Sequence, residues 1–172
     1  MVHSDDITRD IPSSPHDQVE VAMRIENKDI SFNVVNGEGG PFYCFGIRKS
    51  GSTLLHKILS GMAEANGINV VDLPGKMFQM GFTVSDWAHL DISPLLKPGN
   101  LYSGFRAYPA AVKQVADLAK APKIFMFRDP RDALVSQYFS DAYSHTIPVN
   151  KGKGRELFLK KRSEALEMPI NE

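Results

Sequence analysis

A lysine and three hydroxyl side chains lie close together between residues 46 and 54, on a stretch that also contains two glycines. They are Lys49, Ser50, Ser52 and Thr53, with Gly46 before them and Gly51 among them. An ammonium group and hydroxyl donors on a glycine-containing loop are suited to binding an anion such as phosphate or sulfate. The chemistry that these residue types indicate is therefore recognition of a phosphate-like group.

The elements on either side of this loop would position it. Residues 42–45 are wholly apolar and predict a short buried strand. After the loop, apolar residues recur on one broad helical face, and Asn66-Gly67 predicts the end of that helix. The apolar residues are Leu54, Leu55, Ile58, Leu59, Met62 and Ala63. Free N–H groups and the positive end of the helix dipole would converge on the loop, so we predict an anion site there.

The loop differs from the phosphate-binding loop of nucleoside triphosphatases. Counted from Gly46, the pattern G-x-x-x-x-G-K-[ST] would place its second glycine at Gly51 and its hydroxyl at Thr53. Ser52 stands where the pattern requires lysine, and the lysine comes earlier, at Lys49. The sequence therefore predicts an anion-binding loop that does not bind ATP in the usual way.

A second polar group follows the predicted strand 123–127. Arg128 comes directly after that strand, and ligands bind at the carboxyl ends of strands in open α/β sheets. Asp129 suits a helix N-cap and is followed by proline, so a helix is predicted to begin there. Ser136 lies about two turns into that helix. Arg128 and Ser136 could bind a phosphate, or Arg128 could simply pair with Asp132 while Ser136 remains a surface residue.

Alternating apolar strands and helices predict an α/β fold. We expect a three-layer α/β/α domain of the P-loop nucleotide-binding type, with a mainly parallel central sheet and an N-terminal β-hairpin. Residues 1–18 are expected to form a disordered tail and residues 19–172 a single domain. The expected strands are 19–25, 30–35, 42–45, 68–73, 100–105 and 123–127; further helices are expected at 109–119 and 155–168, and an irregular segment at 74–98.

Composition narrows the functional classes. The formal net charge is +0, so no overall positive field would attract nucleic acid. No apolar run is long enough to span a membrane, and a cytoplasmic protein is expected. Cys44 is the one cysteine, which excludes an internal disulfide, and we expect it to be a small buried apolar residue. No spacing of Cys and His predicts a metal site.

Together the two motifs resemble those of the sulfotransferase family, which uses 3′-phosphoadenosine 5′-phosphosulfate (PAPS). The family's P-K-S-G-T-T-W-L signature corresponds to residues 48–55, and its R-x-P-R-D-x-x-x-S-x-Y signature begins at Arg128. The second match comprises Arg128, Pro130, Arg131, Asp132, Ser136 and Tyr138. The resemblance covers about residues 41–142, and it places both motifs after strands in the family's order.

The resemblance implies a PAPS-dependent enzyme that transfers a sulfuryl group to a hydroxyl or amine of a small molecule or glycan, without a metal. Lys49 would act on the sulfuryl group or the bridging oxygen, and Arg128 and Ser136 would hold the 3′-phosphate. The residues implied to bind PAPS are Arg48, Lys49, Ser50, Gly51, Ser52, Thr53, Leu54, Arg128 and Ser136.

The sequence departs from the family at several positions. Residues 48, 52 and 54 are Arg, Ser and Leu where the family usually has Pro, Thr and Trp. Many members carry a catalytic His just after the third strand, and residues 102–106 contain none. Replacements for that base could be His89, Asp86, Asp91 or His145. The family is also usually longer, so its C-terminal portion is expected to be absent here.

Two other classes of function remain open from the sequence. The chain could be a non-catalytic remnant that binds PAPS or its product, or an interaction protein, since no base is identified. It could also be a divergent P-loop kinase or nucleotidase, although Ser52 in the lysine position argues against that. The sequence does not predict the acceptor or the oligomeric state.

Overall fold

The structure is a computed structural model that describes residues 18–113, 116–147, 149 and 152–168. It begins with two antiparallel strands, β1 (Gln18–Ile25) and β2 (Lys28–Val35). They form the predicted hairpin, and one face of β2 belongs to the main hydrophobic core. Except for its last residue, the expected disordered tail lies outside the described residues.

Four parallel strands form the central sheet. They are β3 (Phe42–Gly46), β4 (Asn69–Val71), β5 (Asn100–Phe105) and β6 (Lys123–Met126), in the spatial order β4-β5-β3-β6. The predicted parallel strands are present, with β5 between β3 and β4, but β4 is shorter than the expected strand 68–73 because a helix begins at Leu73. The chain therefore has an α/β fold, with a four-stranded parallel sheet flanked by helices and an antiparallel hairpin.

Helix α1 (Ser52–Ala65) follows β3 and ends at the predicted signal, because Asn66 is its C-cap and Gly67 has a positive φ of 69°. Only half of its predicted apolar face is covered. Leu55, Leu59 and Ala63 pack with Cys44 and other residues of the sheet. Leu54, Ile58 and Met62, by contrast, remain exposed. The helical period identified the apolar residues, but only tertiary contacts decide which of them are buried.

The segment between β4 and β5 is more ordered than the sequence predicted. It contains α2 (Leu73–Gln79), α3 (Val84–Trp87) and a 3-10 turn at Ser93–Leu95. This segment carries several fully buried apolar side chains, namely Met77, Trp87, Ile92 and Leu95. The prediction of an irregular segment was wrong because each helix is too short to produce a recognisable period.

After β5 the chain forms α4 (Ala110–Lys113) and a 3-10 turn at Ala116–Ala119, while residues 114 and 115 of the predicted helix lie outside the described residues. Helix α5 (Pro130–Phe139) continues into a π-helical turn at Ser140–Ser144. Helix α6 (Lys153–Glu167) is the last element. No residue of α5 is buried, so this helix contributes no side chain to the hydrophobic core.

A buried asparagine joins the hairpin to the sheet. The side chain of Asn100, at the start of β5, donates to Val35 O at 2.8 Å and accepts from Val35 N at 3.0 Å. Its oxygen also accepts from Asn69 Nδ2 at 2.7 Å. Because buried polar groups are costly unless paired, these bonds specify where the hairpin docks. Within the described ranges, no helix is both long enough and apolar enough to cross a membrane.

Candidate functional site

The loop from β3 to α1 closes tightly at the carboxyl edge of the sheet. A Cβ atom on Gly46 would lie 2.6 Å from Ser52 Cβ, so only glycine fits at the end of β3. The carbonyl oxygen of Ile47 accepts from Ser50 Oγ at 2.8 Å and from Ser50 N at 3.3 Å. Gly51 has a φ of 93°, a conformation that favours glycine. The two glycines therefore allow the turn that the sequence predicted.

The loop carries a cation and leads directly into the start of a helix. Gly51 is the N-cap of α1, and no side chain caps this end of the helix. The N–H groups of Ser52 and Thr53 lie in the first turn, where no intrahelical acceptor exists. Lys49 adopts a φ of 62°, which is uncommon for a residue with a side chain and often marks a functional position. These features make the loop a suitable cradle for an anion.

The structure brings the second motif to the first. Arg128 follows β6, the edge strand beside β3, and its Nη1 donates to Lys49 O at 3.1 Å. Its Nε lies 3.8 Å from a carboxylate oxygen of Asp132, and both side chains remain partly exposed to solvent. The pairing of Arg128 with Asp132 that the sequence left open is thus present, and the guanidinium also contacts the loop.

The start of α5 agrees with the sequence. Asp129 caps the helix by accepting from Arg131 N at 2.9 Å, and it also accepts from the Arg131 side chain. These hydrogen bonds lower the pKa of the Asp129 carboxyl and raise the pKa of Arg131. Arg131 is therefore engaged by Asp129, whereas Arg128 is directed toward the loop. Ser136 is half-buried in the second turn of α5.

Arg106 is a site residue that the sequence analysis did not identify. It follows the last residue of β5, and its Nη2 donates to Thr53 Oγ1 at 3.2 Å. A cation immediately after a predicted parallel strand was the signal that could have found it, since the carboxyl ends of parallel strands meet at one edge. With Arg128 on the other side, Arg106 gives the loop a second neighbouring guanidinium.

A histidine with three polar partners lies one helical turn beyond the loop. His56 Nδ1 is 2.9 Å from Ser103 Oγ of β5 and 3.4 Å from Ser60 Oγ. Its Nε2 is 3.6 Å from Asp72 Oδ2, which follows β4. None of these residues was predicted from the sequence as a site residue, although His56 follows Ser52 by one turn of the same helix and Asp72 lies near the end of the predicted strand 68–73.

The residues that the sequence offered as a base have local contacts instead. Asp86 Oδ2 accepts from Thr83 N and from Thr83 Oγ1, each at 2.7 Å, and so caps α3. Asp91 is hydrogen-bonded by the Ser93 side chain and by Ser93 N, and these bonds lower the pKa of its carboxyl. His89 is exposed at the end of α3, and His145 Nδ1 contacts Thr146 O at 2.9 Å. No structural contact described for these four residues joins them to the loop.

The remaining predicted residues lie at the surface of the same edge. Arg48 is exposed, and Leu54 is 65% exposed in the first turn of α1.

Cys44 is buried, as expected, and burial raises the pKa of its thiol. Among the residues with described positions, no three His, Cys, Asp or Glu side chains are grouped as a metal site would require.

Comparison with known proteins adds no relative: the chain matches no family model, no curated protein and no solved structure.

Proposed function

We propose that the protein is a sulfotransferase that moves a sulfuryl group from PAPS to a hydroxyl or amine of a small molecule or glycan. In this proposal the domain is a three-layer α/β/α domain of the P-loop nucleotide-binding type. The function rests on the two motifs, at residues 48–55 and 128–138, and on their positions after β3 and β6. Both motifs follow parallel strands, where α/β proteins bind their ligands.

The observation that carries the proposal is the hydrogen bond from Arg128 to Lys49 O. The two residues are separated by 79 positions in the sequence, yet they meet at 3.1 Å. A ligand with two separate anionic groups could thus contact both motifs. PAPS has such groups, since its phosphosulfate and its 3′-phosphate are attached to different carbons of one ribose.

The loop has features that fit the phosphosulfate end. The first-turn N–H groups of α1 and the Lys49 ammonium can surround an anion, and Gly46 lets the strand approach the helix closely. The Arg128 guanidinium and the Ser136 hydroxyl would bind the 3′-phosphate. A kinase or a non-catalytic binding protein would use the same loop, so the experiment must distinguish both from a sulfotransferase.

The reaction would depend on placement and on charge stabilisation. As the acceptor attacks in line, negative charge develops on the bridging oxygen that leaves with the phosphate. Lys49 would stabilise that charge, and this contribution is larger in the transition state than in the bound substrate. The sulfuryl group carries less charge than a terminal phosphoryl group, so the proposal includes no metal.

Calorimetric titration with 3′,5′-diphosphoadenosine, the desulfated product, tests the nucleotide site. We expect metal-independent binding that is tighter than the binding of AMP or ATP, because only this ligand carries the 3′-phosphate. Tighter binding of ATP that requires Mg²⁺ would support the kinase alternative instead. If the folded protein binds none of the three nucleotides, the proposal is wrong. An assay of transfer from PAPS to a panel of alcohols, phenols and amines then separates an enzyme from a binding protein.

Arg128→Ala should weaken diphosphoadenosine binding by about 1.5–3 kcal/mol, the scale of a hydrogen bond to a charged group. That corresponds to roughly a tenfold to hundredfold increase in Kd. Binding of AMP should change much less, since AMP has no 3′-phosphate. Arg24→Ala is the matched control, because Arg24 is an exposed arginine on β1. Equal losses for both nucleotides would contradict the assignment of Arg128 to the 3′-phosphate.

A further inference from the structure

The group formed by His56, Asp72 and Ser103 lies one helical turn beyond the loop, and the steps of the proposed reaction give it no role. His56 follows Ser52 by four residues on α1, and helical side chains lean toward the N-terminus of their helix. This lean is toward the end of α1 that carries the loop, while Nδ1 contacts Ser103 Oγ and, at 3.4 Å, Ser60 Oγ one turn further along the helix. Its side chain is 23% exposed, so one edge of the ring can be reached from solvent.

The surroundings hold Asp72 in a fixed position. Asp72 Oδ1 caps α2 by accepting from Gly75 N at 2.9 Å. The carboxylate also lies against the backbone of Gly104, where a Cβ atom would overlap it, and Gly104 has a φ of 83°. Oδ2 is left facing His56. Because the capping bond uses the other oxygen, Asp72 can interact with the imidazole without losing its role in α2.

The same three residue types form the catalytic triad of serine hydrolases, but the geometry here does not suit that chemistry. A nucleophilic serine must reach the substrate, and Ser103 has no exposed surface. Ser103 also contacts Nδ1 while the carboxylate faces Nε2, the reverse of the triad. Ser103 Oγ, 2.9 Å from Nδ1, is instead placed to orient the ring.

We propose that His56 is the base that accepts the acceptor's proton during sulfuryl transfer, with Asp72 and Ser103 as positioning residues. This inference rests on the proposed function. When Nδ1–H donates to Ser103 Oγ, Nε2 keeps its lone pair. The distance of 3.6 Å to Asp72 is too long for a direct hydrogen bond, so Nε2 remains available to an acceptor hydroxyl.

The transfer step balances with these groups. The acceptor oxygen forms a bond to sulfur as its proton passes to His56 Nε2. The bond between sulfur and the bridging oxygen breaks, and its electron pair leaves with the 5′-phosphate of diphosphoadenosine. The imidazolium that results is then stabilised by the negative charge of Asp72. Arg106, which contacts Thr53 one turn before His56, adds positive charge on the side of the loop.

His56→Asn tests this role, because an asparagine amide can replace Nδ1–H toward Ser103 but supplies no base. We expect transfer from PAPS to benzyl alcohol to fall about a hundredfold, the lower range of general-base catalysis. Transfer to para-nitrophenol, assayed in mildly alkaline buffer where this acceptor is already ionised, should fall less than about tenfold because no proton needs to be removed. Added imidazole should restore part of the alcohol activity in His56→Gly.

Controls separate this inference from the proposed function. Lys57→Ala, an exposed neighbour on α1, should leave both transfers and diphosphoadenosine binding unchanged. Equal losses with both acceptors, or a selective loss in His89→Asn instead of His56→Asn, would overturn the role of His56 alone. Absence of diphosphoadenosine binding and of transfer in the folded wild-type protein would overturn the proposed function, and the inference with it.

Nitrogen NMR of the free wild-type protein should show His56 protonated at Nδ1, and Ser103→Ala should change that signal. Protonation at Nε2 alone would overturn the role of His56 as the base.

Discussion

Replacing Lys49 with alanine is expected to reduce sulfuryl transfer by about a hundredfold to a thousandfold, the effect of removing one preorganised donor to developing charge. Diphosphoadenosine binding should fall much less, since Lys49 would act mainly on charge that appears in the transition state. The position of Lys49, beside an uncapped helix start and in contact with Arg128 through its backbone, is the structural basis for this expectation.

The measurement is kcat and KM for transfer, together with the Kd of diphosphoadenosine, in wild type and Lys49→Ala. A fall in kcat with little change in Kd is the expected pattern. Lys57→Ala is the control, because it removes an exposed lysine from the same segment. An unchanged kcat in Lys49→Ala would show that the catalytic role belongs to another residue. A parallel loss of kcat and nucleotide affinity would indicate a binding role instead.

Gly46→Val is expected to weaken diphosphoadenosine binding by about a hundredfold. This corresponds to a free energy of about 2.7 kcal/mol, near the upper end of the roughly 1–3 kcal/mol that overpacking usually costs. A side chain at this position would meet Ser52 Cβ at 2.6 Å and Ser50 Oγ at 3.2 Å. The backbone of the loop or of α1 would have to move, and the N–H groups that form the cradle would no longer converge. Transfer should fall at least as much as binding does.

Gly40→Val is the matched control for this substitution. Gly40 precedes β3, and a Cβ atom there would meet nothing within 4 Å. Titration calorimetry and circular dichroism of both variants measure binding and folding separately. If Gly46→Val folds and binds diphosphoadenosine as tightly as Gly40→Val does, the loop is not the anion site. The result thus tests the cradle independently of any acceptor.

Several large apolar side chains remain uncovered in the structure. Leu54, Ile58 and Met62 on α1 are each more than half exposed, as are Leu134 and Val135 on α5. The sequence predicted that the α1 residues share one helical face, and the structure leaves half of that face uncovered. Periodicity reports which residues share a face, whereas burial depends on what packs against that face.

Much of the fold could be predicted because its signals are local. The alternation of short apolar runs with helical periods predicted β3 to β6, and Asn66-Gly67 and Asp129 marked helix boundaries that the structure confirms. The α/β class followed from that order of elements. The short helices α2 and α3 were missed, since helices of seven and four residues have too few turns to show a period.

The sequence by itself determined the residue types at the carboxyl edge of the sheet: a lysine loop after β3 and an arginine after β6. Only the tertiary structure decided which side chains meet there. The strand order β4-β5-β3-β6 places Arg128 against Lys49 and brings His56 to Ser103, 47 positions away in the sequence. Local propensity specifies where strands and helices begin and end, but the order of strands depends on packing between distant segments, which no single stretch of sequence contains.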